Sequence, residues 1–140
     1  MNTGHVISLV SKIREKANKL IVAELKKHGI EGIAPSHGSI FAMLYKNGPS
    51  SMTQIADCIH KDKSTVTALI DKLENLGYAK RCEHETCQRT TMIELTEKGR
   101  ILESAFVEIS DTLLKIVYRD FSEDEKEALI KLLEKINSNL

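Results

Sequence analysis

The feature that most constrains this chain is the stretch from Ser51 to Leu95, where two short helical segments around a tight polar turn give way to two strand-length runs. Ser51-Met52-Thr53-Gln54 matches the capping box, in which a serine oxygen accepts a backbone N–H three residues on and the glutamine reaches back. A helix is expected from there to about Ile59. Past the polar run His60-Lys61-Asp62-Lys63, residues Val66, Leu69, Ile70, Leu73 and Leu76 share one helical face, and Gly77 ends the helix. Tyr78 to Glu83 and Thr90 to Leu95 then read as the two strands of a β-hairpin. Helix, turn, helix and hairpin in that order is the arrangement of a winged helix-turn-helix.

The flanks are helical. Val6, Leu9, Val10, Ile13, Ala17, Leu20, Ile21 and Leu25 recur at three- and four-residue steps, predicting an amphipathic helix of about six turns that ends near Gly29. A shorter helix is expected from Ser36 to Tyr45, with Pro35 at its start and Asn47-Gly48-Pro49 as its stop. Beyond the hairpin, Thr96 opens a long helix whose stripe runs from Ile101 to Val117, and Ser122-Glu123-Asp124-Glu125 is a second capping box before Leu129, Leu132, Leu133 and Ile136. The fold class is therefore mainly α with a small β-hairpin wing. One domain spans residues 1–140, with the winged helix-turn-helix at about 35–95 and helices at about 5–28 and 97–138 available for dimerisation. At 140 residues the chain buries enough surface to need no disulfide or metal.

Composition excludes some partners less firmly than it first suggests. Twenty basic and twenty acidic residues cancel, which argues against an anionic partner. Yet up to Arg81 there are 12 basic and 7 acidic residues, and after it 8 and 13, so a net of +5 is followed by a net of −5. That split is what a basic binding half on an acidic scaffold produces. No stretch approaches the roughly 18 apolar residues of a membrane span, and no secretory signal opens the chain. A soluble cytoplasmic protein with free thiols and no membrane partner is expected.

The outward residues at the start of the fourth helix are Lys63, Ser64, Thr65, Thr67 and Ala68. They are short, uncharged or basic, and stand where helix N–H groups and the helix dipole favour phosphate. Threonine methyls in addition suit a thymine methyl. Ser64-Thr65-Val66-Thr67-Ala68-Leu69-Ile70-Asp71-Lys72-Leu73-Glu74, then Leu76-Gly77-Tyr78-Ala79-Lys80-Arg81, Arg89, and Ile93-Glu94-Leu95-Thr96-Glu97-Lys98-Gly99 together resemble the MarR family of winged-helix transcriptional regulators. The resemblance covers the whole chain. It implies a homodimer, joined through the first and last two helices, whose paired recognition helices read a pseudo-palindromic site on double-stranded DNA, most simply as a repressor by occupancy. Thr53, Gln54, Lys61 and Lys72 are then candidates for phosphate contacts, with Gln88 and Arg89 at the wing. The family's wing tip carries Asp-x-Arg, whereas this chain has Cys87-Gln88-Arg89, so the arginine lacks the usual carboxylate brace, for which Glu83 or Glu85 of the hairpin could substitute.

Other chemistry is sparse. Cys82, His84 and Cys87 are metal-ligand types, but a fourth ligand and Cys-x-x-Cys spacing are missing, so neither a metal nor a cofactor is expected. Cys82 and Cys87 are a candidate redox pair, with Lys80, Arg81 and Arg89 near enough to lower a thiol pKa. Cys58, beside Ile55 and Ile59, is expected to be a buried apolar thiol. The resemblance also implies a small aromatic or phenolic effector between the dimerisation and DNA-binding parts, for which Ile13, Ala17, His37, Phe41 and Tyr45 are candidate lining. An enzyme is not expected, since there is no glycine-rich phosphate loop and no Ser/His/Asp grouping. The alternative to a DNA-binding regulator is a winged-helix protein-interaction module that does not read DNA, in keeping with zero net charge.

Overall fold

The computed structural model describes residues 1–82 and 91–140. The elements run α1 (Val6–Lys27), α2 (Pro35–Asn47), β1 (Ser50–Ser51), α3 (Met52–Ile59), α4 (Lys63–Asn75), β2 (Ala79–Cys82), β3 (Met92–Leu95), α5 (Glu97–Ile101), α6 (Glu103–Val117) and α7 (Glu123–Asn139). The helix starts follow local cap chemistry. Gln54 N–H donates to Ser51 Oγ at 3.1 Å while Ser51 N–H donates to the Gln54 side-chain oxygen at 2.8 Å. Ser122 and Glu125 repeat the exchange at the start of α7.

Two helices stop in the same way. After α1, Ile30 N–H reaches back to Leu25 C=O and Gly29 N–H to Lys26 C=O; after α4, Tyr78 N–H reaches Leu73 C=O and Gly77 N–H reaches Glu74 C=O. Gly29 and Gly77 take left-handed φ values of 73° and 83°, a conformation that costs glycine nothing. The residue beyond each glycine packs into the core with the third-last residue of its helix: Ile30 with Leu25, and Tyr78 with Leu73. The chain is thus turned inward at both places.

Several elements differ from the sequence expectation, β2 starting at Ala79 and β3 at Met92, later than the expected runs. The hairpin has a third strand: β1 pairs antiparallel with β3, Ser50 opposite Ile93 and Ser51 opposite Met92, giving the order β1-β3-β2. The helix α2 runs one residue earlier and two later than expected. The single helix expected from Thr96 to Val117 is divided at Leu102 (φ −73°, ψ −10°). Its first turn is tied to the hairpin base, with Arg100 donating to Leu95 C=O at 3.1 Å, while α6 follows Ala105, Phe106 and Ile109 onto the core.

That core lies between α2, α3, α4 and the sheet, with Phe41, Ile40, Ile55, Val66, Ile70, Leu73 and Ile93 fully buried. Phe41 stacks at 4.8 Å from Phe106 and 5.8 Å from Tyr78, joining α2 to α6 and to the hairpin base. The remaining helices contribute little: α1 adds Leu25, α6 adds Ile109, and no residue of α7 is buried. Among the described residues no helix is long and apolar enough to cross a membrane.

Candidate nucleic-acid interface

Because Val66, Ile70 and Leu73 are drawn into the core, helical geometry turns Lys63, Ser64, Thr67, Ala68 and Lys72 outward, and all five are exposed. Thr65 is half-buried at the edge of that face. Thr53 and Gln54 are exposed at the start of α3, and Lys61 is exposed in the turn. The turn itself is made by His60, which closes α3 in the left-handed region at φ 57°. Among the described residues no ion pair involves Lys61, Lys63 or Lys72. The structure thus brings nine candidates to the outer surface of two helices and their turn, Thr65 being the least accessible of them. Gln88 and Arg89 lie outside the described residues, as do Glu83 and Glu85.

One residue that the sequence reading passed over changes the electrostatics of this face. Asp62 caps α4, its Oδ1 accepting from Thr65 N–H at 2.7 Å and from Ser64 Oγ–H at 2.8 Å. These two bonds hold its carboxyl below the ordinary carboxylate range. The positive end of α4 is therefore already met by an internal anion, which corrects the expectation of an open phosphate site there. The hydroxyls are corrected in the same way: Ser64 donates to Asp62, and Thr67 donates to Lys63 C=O at 2.8 Å. What they present outward is oxygen lone pairs and the Thr67 methyl. The Gln54 carbonyl oxygen is likewise held by the α3 cap, leaving its amide as the outward donor. Asp62 was discernible in principle, as an N-cap residue type three positions before Thr65.

The base of the wing is clamped to α4. Arg81 on β2 reaches Glu74 through Nε at 3.1 Å and Asp71 through Nη2 at 3.2 Å, while Lys80 pairs across the hairpin with Glu94 at 3.4 Å. Lys80 and Arg81 are thus engaged with carboxylates, rather than being available to activate a thiol as expected. Cys82 is buried at the end of β2, and Cys87, with His84, lies outside the described residues. Cys58 is exposed, contrary to expectation: Ile55, Ala56 and Ile59 set the buried face of α3, and Cys58 falls on its flank. Among the described residues no group of metal-ligating side chains is assembled.

The run Thr96-Glu97-Lys98-Gly99 has a structural explanation. Thr96 caps α5 by accepting from Gly99 N–H, and its hydroxyl donates to Gly77 C=O at 2.6 Å. Lys98 donates to Leu76 C=O at 2.8 Å and lies 4.8 Å over the Tyr78 ring. Gly99 is pressed so closely on Tyr78 that a Cβ there would meet its carbonyl oxygen at 2.3 Å. Tyr45 on α2 donates to Gly99 C=O at 2.7 Å, and burial pushes its phenol well above the ordinary range. These four residues bind the end of α4, the hairpin base and α2 into one joint.

A cavity of about 480 Å³ opens between α1, α2 and α6. Of the five effector-lining candidates it takes in Tyr45 alone. Phe41 and His37 are buried in the core, Ala17 is half-buried on α1, and Ile13 is exposed farther along that helix. His37 accepts from Ala34 N–H at 2.9 Å, and burial holds its pKa below the ordinary value. The cavity walls come mainly from α2 and α6, through Ala42, Phe106 and Ile109 among others, with Ile21 and Leu25 from α1. An apolar stripe does not say which of its members will be separated from a neighbouring helix, so these residues were not legible in advance.

Comparison with known proteins agrees with this geometry. The sequence pattern of the MarR family matches residues 31–89. The HTH-type transcriptional regulator MhqR of Bacillus subtilis is 26% identical over 135 residues, which is 94% of this chain and 88% of MhqR. The backbone superposes on a mutant E. coli MarR complexed with operator DNA with a TM-score of 0.82, at 17% identity over 97% of this chain and 99% of that one. It superposes on Bordetella bronchiseptica BpsR, whose DNA binding is regulated by 6-hydroxynicotinic acid, with a TM-score of 0.80, at 17% identity over 97% and 93%. The winged helix, its outward polar face, the joint behind it and these likenesses point the same way: over residues 31–89 and in its fold, the chain is similar to the MarR family of transcriptional regulators.

Proposed function

We propose that this regulator is a sequence-specific repressor that works as a homodimer on a pseudo-palindromic operator in the cytoplasm and is released by a small-molecule effector. In this reading Lys63, Ser64, Thr65, Thr67 and Ala68 face the major groove. Thr53, Gln54, Lys61 and Lys72 contact phosphates, and Gln88 and Arg89 act from the wing. The observation that carries the reading is the presence on one chain of that outward face and of a helix, α7, none of whose 17 residues is buried. A helix with an apolar stripe is stable in water only when the stripe is covered. Leu132 and Ile130 on α7, Leu114 on α6, and Ile7, Leu9 and Ile13 on α1 are all more than a third exposed. A second copy covering them sets two α4 helices side by side. The cavity behind the joint is the place for the effector.

The test is binding of fragments selected from the source genome, followed across a salt series. A phosphate-contacting dimer gives a steep negative slope of log K against log salt. Arg89→Ala should weaken operator binding by about 1–3 kcal/mol. A flat salt series on random and selected duplex alike would instead indicate a winged-helix protein adaptor.

A further inference from the structure

The rim of the cavity between α1, α2 and α6 identifies the chemical class of its ligand. Its more deeply set lining is apolar and aromatic, formed by Leu25, Phe106, Ile109 and Leu113 with the ring of Tyr45. Among the described residues its charged lining consists of Glu103 and Asp111, and no lysine, arginine or histidine lines it. Both carboxylates are exposed, and among the described residues neither is in an ion pair. They stand eight residues apart on one helix, about 12 Å along its axis, so they flank the apolar lining rather than share one point. Arg100, which lines a neighbouring cavity together with Tyr45 and Glu103, is directed at Leu95 C=O. The phenol of Tyr45 is also committed, to Gly99 C=O, which leaves no charged donor and no tyrosine hydroxyl to receive an anionic ligand. Among the lining side chains, a bound anion would find only the hydroxyls of Ser39 and Ser110 to replace its hydration. A cation, in contrast, meets a carboxylate and the faces of Tyr45 and Phe106, whose centroids lie 6.2 Å apart.

From this the geometry points to an amphiphilic organic cation, an ammonium head on an apolar body, as the ligand of this cavity, with the head at the Tyr45–Glu103 end and the body on Phe106 and Ile109. The volume of about 480 Å³ suits such a molecule. Only the consequence for DNA rests on the proposed effector role; the binding chemistry does not. Because Tyr45 is hydrogen-bonded to Gly99, a ligand that displaces Tyr45 pulls on the joint that holds the end of α4 and the hairpin base.

The experiment is titration calorimetry on the full chain with three probes: benzyltriethylammonium, the neutral 4-tert-butylphenol, and salicylate. The ammonium should bind about tenfold or more tightly than the phenol, with salicylate weakest. Combining Glu103→Gln with Asp111→Asn should weaken the ammonium about tenfold and the phenol by less than about twofold. At Gly38, a Cβ meets nothing within 4 Å, so Gly38→Leu should fill the void and abolish ammonium binding while the protein stays folded. The inference is overturned if the phenol or salicylate binds as tightly as the ammonium, if the neutralised variant binds the ammonium unchanged, or if no probe binds. Release of operator DNA is measured separately. An ammonium that binds without releasing DNA upholds the ligand class and removes the effector role from the proposed function.

Discussion

Two glycine-to-alanine substitutions, both within helices, should have opposite signs, and the pair isolates the contact that seats α5. At Gly38 in α2 an added Cβ meets no atom within 4 Å, whereas at Gly99 in α5 it would stand 2.3 Å from Tyr78 C=O and 3.1 Å from a Leu95 methyl. Both substitutions gain the helical preference of alanine, about 0.5–1 kcal/mol. Gly38→Ala keeps that gain. Gly99→Ala must move α5 off Tyr78 by roughly 1 Å to reach an ordinary contact distance, which strains the Thr96 hydroxyl bond to Gly77 at 2.6 Å and the Thr96 N–H bond to Tyr78 at 3.0 Å. Overpacking of this kind costs about 1–3 kcal/mol, so the net loss should be about 1–2 kcal/mol. For a chain of this length that lowers Tm by about 3–8 °C. Urea unfolding at matched protein concentration measures both variants, and an unchanged m-value confirms that compactness is preserved. If Gly99→Ala left the midpoint where it was, or raised it, the Tyr78 carbonyl would not be a fixed stop and the joint would be looser than described.

Asp62→Asn keeps a capping side chain but removes a negative charge from the start of α4, beside the face proposed to meet DNA. Stability should fall by less than about 1 kcal/mol, while affinity for random duplex, read by fluorescence anisotropy at low salt, should rise. His28 bridges α1 to α6, with Nε2 at 3.0 Å from Glu108 and Nδ1 on Glu24 C=O, and the Glu108 bond raises its pKa above the ordinary 6.5. A raised folded-state pKa makes this contribution complete below about pH 6.5 and lost as pH rises through the folded value. The stability difference between wild type and Glu108→Gln should therefore be largest in acid and shrink with rising pH in urea melts. Arg81→Met should leave stability within about 1 kcal/mol, because the pairs it breaks are half-exposed. It should nevertheless weaken operator binding by freeing the wing from α4, without reducing the salt slope as the loss of a phosphate contact would.

What could be read in advance followed the range of the interactions involved. The caps at Ser51 and Ser122 and the stops at Gly29 and Gly77 depend on residues three to five apart, and these boundaries agreed closely. The strand β1 did not show itself, since two serines have no periodicity and their partners, Met92 and Ile93, are some forty residues away. The division at Leu102 was hidden for a similar reason. Nothing in the Ile101–Phe106 stripe records that Gly99 is pinned to Tyr78. The outward face of α4 was legible because its opposite face is so plainly apolar, but the direction of its hydroxyl protons was not. That depended on Asp62, whose place in the polar run His60-Lys61-Asp62-Lys63 looked like solvent-facing turn. The residues around the cavity lay furthest from view, since a void is a property of several helices that meet only in part.

The joint at Thr96–Gly99 has an evolutionary consequence. Lys63, Thr67 and Ala68 project from α4 without entering the core, so exchanging them should alter stability by no more than about 0.5 kcal/mol. Gly77, Tyr78 and Gly99, which hold that helix in place, admit almost no exchange. On the proposed reading, descendants of such a chain are free to drift onto new operators through the first set while inheriting the second unchanged. Lineages with diverged targets should then still share the joint almost letter for letter.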